Sequence, residues 1–337
     1  MRILKITLTI SLILFFTAAV SAKILFSSYQ NRNTNIYIMS DNGSSIRQFS
    51  AVSGSGITPR WSPDGQQIAF LQDTDPSTRS VRNAFIMNAD GTNVRQLTNQ
   101  KEAGFDRLAF SPDGKKLLVN RQIDIGEKNA GLYVVDIKTT NITQISDIRM
   151  FDFDWSPDGK EIIFLKTEWW IEDHNLWIMN ADGTNARPWI RLNKTFYPSN
   201  PRWSPNGRRI LYTETDLRFR NGGASVGHAG TYRYTIRNAD GGAPRNLAIP
   251  KDIMPVSVAW MNSGRSVLFS AIKFSHRKDP NHFEQLYRYD IATRKVRQLT
   301  DGPGDKWRVD WVSGAHAVSP AGKQPVRWGE LKKAYPD

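Results

Sequence analysis

Few residues in this chain can do covalent chemistry. Its 337 residues include five His and no Cys, which excludes a disulfide scaffold, a thiol nucleophile, Cys-ligated zinc or iron–sulfur, and an acylated Cys anchor. The nearest approach to a catalytic motif is Gly223-Ala224-Ser225-Val226-Gly227 followed by His228, which matches the Gly-x-Ser-x-Gly nucleophile elbow. That elbow works because a strained strand-to-helix turn presents the Ser to a separate His and Asp. No helical pattern follows Gly227, so the string reads as a flexible loop and Ser225 as non-catalytic. His276 and His282 share a stretch with Asp279 and Glu284, and Asp73 and Asp75 stand close together. Such donors suit a divalent cation, but no spacing here demands one, and no metal or cofactor is expected.

What positions these residues is a repeat. Arg60-Trp61-Ser62-Pro63-Asp64-Gly65 recurs as Ala109-Phe110-Ser111-Pro112-Asp113-Gly114, Asp154-Trp155-Ser156-Pro157-Asp158-Gly159 and Arg202-Trp203-Ser204-Pro205-Asn206-Gly207. Weaker copies surround Trp260 and Trp311. Behind each full anchor come a short apolar run (Ile162-Ile163-Phe164-Leu165), a second one (Leu176-Trp177-Ile178-Met179), a polar Asp-Gly turn and a short last segment. These are strand-length runs bounded by turn signals. Ser-Pro-Asp-Gly places Pro second and Gly fourth, as a type I turn prefers, and Asp-Gly is a hairpin signal. Each repeat is therefore read as a four-stranded antiparallel sheet with strands a, b, c and d.

The two ends complete the count. From Ile24 the chain supplies strands b, c and d without an anchor, and the copy at Trp311 supplies an anchor strand alone. Joining them predicts an all-β, six-bladed β-propeller over residues 23–314, with no edge unpaired and hence a monomer. The anchors Trp61, Phe110, Trp155, Trp203, Trp260 and Trp311 are expected to fill the interfaces between blades. Ahead of the ring, Arg2 and Lys5 precede an apolar stretch ending at Val20-Ser21-Ala22. This reads as a signal peptide over residues 1–22, cut after Ala22, because the stretch is short of the ~20 apolar residues of a spanning helix. Residues 315–337 read as a basic, Pro-containing tail.

The Trp-Ser-Pro-Asp-Gly anchor with its downstream Asp-Gly turn resembles the WD40-like (PD40) repeat of TolB-type propellers, found also in the propellers of prolyl-oligopeptidase-type enzymes. The resemblance implies a periplasmic protein that binds a partner of the cell envelope. TolB-type proteins carry an N-terminal α/β domain ahead of the propeller, whereas here the leader runs straight into a strand. The peptidases need an α/β-hydrolase domain, for which no residues remain.

Two places are candidates for binding. Loops between strands b and c lengthen along the chain and share a face with the d-to-a crossings, and long loops on a rigid scaffold are where binding resides. They offer Trp169, Trp170 and His174, then Arg218, Phe219, Arg220 and His228, then His276, Arg277, Lys278 and His282. The opposite face, built of tight turns, leaves little room. The second place is the channel mouth, where Arg60, Arg107, Asp152, Asp154, Arg202, Arg308 and Asp310 precede the anchors on the innermost strands.

Charge is unevenly spread. Residues 23–199 hold 20 basic and 20 acidic side chains, and residues 200–337 hold 23 and 12, which points to a charged partner. A leader argues against nucleic acid, and no nucleic-acid motif accompanies the charge. An acidic protein surface, an anionic polymer or lipid head groups remain. The sequence thus supports a secreted or periplasmic, non-catalytic protein-binding or scaffolding module. The alternative is an extracytoplasmic propeller enzyme, a metal-assisted lyase or hydrolase acting on a polyanionic glycan or peptide.

Overall fold

A computed structural model of the chain describes residues 22–30, 33–49, 56–75, 81–101, 104–121, 129–166, 175–192, 196–216, 232–273 and 283–313. They form six four-stranded sheets, and every neighbouring pair of strands within a sheet is antiparallel. Blade 1 takes strands b, c and d from Lys23–Gln30, Asn33–Ser40 and Arg47–Gln48, and strand a from Asp305–Val312 at the other end. Strands a and b of this blade pair from Lys23 opposite Val312 to Tyr29 opposite Asp305. Blades 2 to 6 begin at Gly56–Trp61, Arg107–Phe110, Met150–Trp155, Phe196–Trp203 and Ile253–Met261. These a strands touch one another in sequence around a closed circle, the sixth returning to the first. The molecule is a six-bladed β-propeller.

Repetition solves the core problem blade by blade. Side chains alternate along a strand, and a b strand is covered on both faces, so apolar residues run consecutively through it. In blade 4, Ile162 and Phe164 enter the core shared with blade 3, while Ile163 and Leu165 enter the core shared with blade 5. Six such cores fill the six interfaces, and each contains one anchor aromatic: Trp61, Trp155, Trp203 and Trp260 buried, Phe110 and Trp311 partly so. Burying each anchor stabilises the ring by about 1.5–3 kcal/mol.

The a–b turn works as its sequence suggests. Ser62 accepts the Gly65 N–H on its carbonyl at 2.8 Å, its hydroxyl donates to Asp64 Oδ1 at 2.6 Å, and the Gln67 N–H donates to that hydroxyl at 2.9 Å. The same bonds recur at Ser111, Ser156 and Ser204. In blade 6 Asn262 replaces the Pro, whose ring fixes φ near −65°, and the turn inverts: Asn262 and Ser263 adopt φ of 51° and 53°, as in a type I′ turn.

The c–d turns join one blade to the next. Gly183 has φ of +88°, and a Cβ there would lie 1.9 Å from the Ile145 carbonyl oxygen of blade 3; at the closing seam, one on Gly43 would lie 2.6 Å from that of Leu299. An arginine on strand d then donates to a carbonyl in the next blade's c–d turn: Arg47 to Asp90, Arg95 to Ile137, Arg245 to Ile291 and Arg297 to Asn42. Part of the basic surplus is therefore stitching. Gly183→Ala should cost about 1–3 kcal/mol from the left-handed backbone plus the clash, read as a lowered denaturant midpoint. Gly114→Ala, whose Cβ would sit 3.6 Å from Pro63, should cost less, and equal losses would contradict the contact.

Candidate functional site

The inner strands bring the channel residues together in two tiers. Immediately before the anchors stand Asp310, Arg60, Ala109, Asp154, Arg202 and Ala259, taken blade by blade from blade 1. All six line one cavity of about 200 Å³, together with Trp61, Pro63, Phe110, Trp203 and Trp260. The cavity opens at the centre of the tight-turn face, so the turns expected to leave little room surround a hollow.

Read around the ring, the order is Asp, Arg, Ala, Asp, Arg, Ala. Opposite blades carry the same residue type, and the hydrogen bonds follow the same two-fold pattern. Asp310 Oδ2 accepts the Trp61 N–H and Asp154 Oδ2 the Trp203 N–H, each at 2.8 Å and each from the following blade. Asp310 Oδ1 also accepts the Trp311 N–H at 2.9 Å. The repeat strings contain this pattern, but a search for charged positions alone passes over the two alanines.

Bulges aim these side chains. Register shifts interrupt strand a between Ile57 and Arg60 and between Ser199 and Arg202, where Thr58 and Asn200 have φ of 54°. Arg308, equally placed before Trp311, also has φ of 54°. Such backbone is strained for a β-branched or long side chain, and bulges of this kind re-aim side chains beside functional sites.

Three residues before the anchors lies the second tier, with Arg107, Asp152 and Arg308 among its members. Arg107 Nε meets Asp152 Oδ1 at 3.1 Å, their side chains 15% and 9% exposed. Burial alone would raise the Asp152 carboxyl, but Arg107, Arg202 and Arg308 bring it down to about 2. Burial, with repulsion from Arg107, pulls Arg308 down to about 9. In the first tier, burial and then Arg202 pull Arg60 down to about 10, and burial raises Asp310. Burial also pushes Asp154 up to about 6, outweighing Arg202, the Trp203 N–H and Arg60.

Because the folded state raises Asp154, its contribution to stability is complete below the ordinary value of 3.8 and is lost as pH rises through about 6. Asp154→Asn keeps an acceptor for the Trp203 N–H and removes the titration. Unfolding followed by fluorescence should show the wild type losing about 3 kcal/mol relative to this variant across that window; parallel pH profiles would contradict the assignment.

The remaining sequence candidates fare differently. Trp169, Trp170, His174, Arg218, Phe219, Arg220, His228, His276, Arg277, Lys278 and His282 lie outside the described residues, as do Ser225 and Asp279. Asp73 is 3.5 Å from Arg82, which holds Asp106 at 2.7 Å. Glu284 is raised to about 8 by burial and then by Asp305. Among the described residues no group of three or more His, Cys, Asp or Glu could hold a metal ion, and no helix is long and apolar enough to cross a membrane.

Comparison with known proteins now places the chain. The TolB beta propeller domain, PD40, matches residues 16–244. The chain belongs to this PD40 family. Tol-Pal system protein TolB of Francisella tularensis subsp. mediasiatica is 24% identical over 228 residues, which is 65% of this chain and 49% of that protein. The protein called uncharacterized peptidase YuxL of Bacillus subtilis (strain 168) is 29% identical over 102 residues, 30% of this chain and 14% of that one. This PD40 propeller thus spans about half the length of the TolB it matches. TolB from Acinetobacter baumannii shares its fold with a TM-score of 0.67 at 16% identity, covering 87% of this chain and 67% of that one. An oligogalacturonate lyase in complex with manganese does so at 0.55 and 16%, covering 82% and 73%. At that identity the likeness of this PD40 propeller to solved structures shows the fold alone.

Proposed function

We propose that this PD40 propeller is a non-catalytic protein-binding or scaffolding module of the cell envelope, docking its partner on the channel mouth. Residues 1–22 act as a leader cut after Ala22, which delivers residues 23–314 as the ring and 315–337 as its tail to the periplasm or the medium. The observation that carries this reading is the composition of the mouth: three Trp, a Phe and two Arg around one concavity. Trp and Arg dominate binding hot spots, which cluster in concave, desolvated centres. The aspartates there hold backbone N–H groups of the next blade, a framing role. The basic surplus of residues 200–337 favours an acidic partner surface.

The test is capture from envelope extract on immobilised chain 23–337. One dominant protein should be retained, and less of it as salt rises, because exposed charges are screened beyond about 8 Å at physiological ionic strength. Charge reversal at Arg218, Arg220, Arg277 and Lys278 reads how much the long loops add to that attraction. Divalent-metal-dependent cleavage of a polyanionic glycan, with no protein retained, would replace this reading with the enzymatic one.

A further inference from the structure

The two arginines of the mouth feel the charges of Asp152, Asp154 and Asp310 but, among the described residues, make no direct ion pair with them. Arg60 makes two long hydrogen bonds, to the carbonyls of Leu108 at 3.4 Å and Val309 at 3.3 Å. Arg202, only 8% exposed, gives Nη1 to the Pro201 carbonyl at 2.7 Å, and its Nε has no partner. Among the described residues neither forms an ion pair with Asp154 or Asp310, whose carboxylates are engaged by backbone N–H groups. Two desolvated guanidiniums therefore face one small cavity from opposite blades with donors to spare, and a buried cation with unmet donors is costly unless an anion meets it.

We propose that the mouth is a binding site for a small dicarboxylate, one carboxylate received by Arg60 and the other by Arg202, its carbon chain lying among the indoles of Trp61, Trp203 and Trp260. The two-fold order of Asp, Arg and Ala matches a ligand with the same charged group at each end. Alanine at the remaining two positions leaves space between the arginine walls. The volume of about 200 Å³ equals roughly seven waters at ~30 Å³ each, room for a short chain and little else. A diamine is repelled by the same two guanidiniums.

Calorimetric titration of chain 23–337 with succinate, glutarate and adipate, and with butyrate and putrescine as controls, tests this. One dicarboxylate length should bind one to one and butyrate more weakly by about tenfold or more, because one charge-assisted contact is lost. Putrescine should give no heat. Arg202→Gln should weaken the best dicarboxylate by roughly ten- to a hundredfold. No heat from any dicarboxylate, butyrate equal to the best of them, or unchanged affinity in a folded Arg202→Gln chain would overturn the proposal. If that variant does not fold, the wild-type series decides alone. The site shares the mouth with the protein-binding reading but fails separately: a captured partner with no dicarboxylate binding refutes the dianion only, and the converse result refutes the partner.

Discussion

A chain ending at Gly304 is expected to aggregate and to lose cooperative folding. It lacks the last inner strand, Asp305–Val312, which pairs along strand Lys23–Gln30 and touches the inner strands of blades 2 and 6. Without it, strand b of blade 1 becomes a long apolar edge, a template for pairing with other chains. The core between blades 6 and 1 also loses the fully buried Val309 and the partly buried Trp311. Lys306, itself fully buried, donates to the carbonyls of Gly302, Pro303 and Gly304, so the preceding loop is released as well. Size-exclusion chromatography and denaturant unfolding should show aggregation and no cooperative transition. A monomeric, cooperatively unfolding chain ending at Gly304 would contradict closure by the two termini.

Asp152→Ala should cost about 3–5 kcal/mol, the expected loss when one member of a buried pair is removed and the other is left charged. Among the described residues Arg107 then keeps its bond to the Asp106 carbonyl at 2.9 Å and faces the charge of Arg308 without that carboxylate. Adding Arg107→Leu should recover much of the loss, and a double mutant no better than the single one would show that the pair is not the cause. The pH dependence runs opposite to that of Asp154. The Asp152 carboxyl is depressed, so its contribution is present above the ordinary 3.8 and is lost as pH falls through about 2.

The ring was legible in the sequence because its devices repeat. Trp-Ser-Pro-Asp-Gly fixes a turn through local hydrogen bonds, and three or four consecutive apolar residues in each b strand announce burial on both faces; the mismatched ends at Ile24 and Trp311 then leave one way to close the circle. Less was legible where an effect depends on the neighbouring blade. Arg47, Arg95, Arg245 and Arg297 read as surface charge until the next c–d turn is beside them, and the second constraint on Gly183, its approach to Ile145, is invisible locally. The last segments read as strands shrink to two residues at Arg95–Gln96, whereas the equally outermost Ile142–Ser146 keeps five. The mouth was half legible: its charges stood out, but its two-fold order appears only when Ala109 and Ala259 are counted with them. Residues on the long loops gave no such register, since nothing in a loop sequence fixes which side chains converge.

Hydrogen–deuterium exchange of the propeller with its captured partner tests most directly where binding resides. Docking on the mouth predicts that protection gained on binding concentrates at Arg60 to Ser62, Ala109 to Ser111, Arg202 to Ser204 and Ala259 to Met261. Protection confined to the loops between strands b and c, with those four segments exchanging as in the free chain, would contradict it.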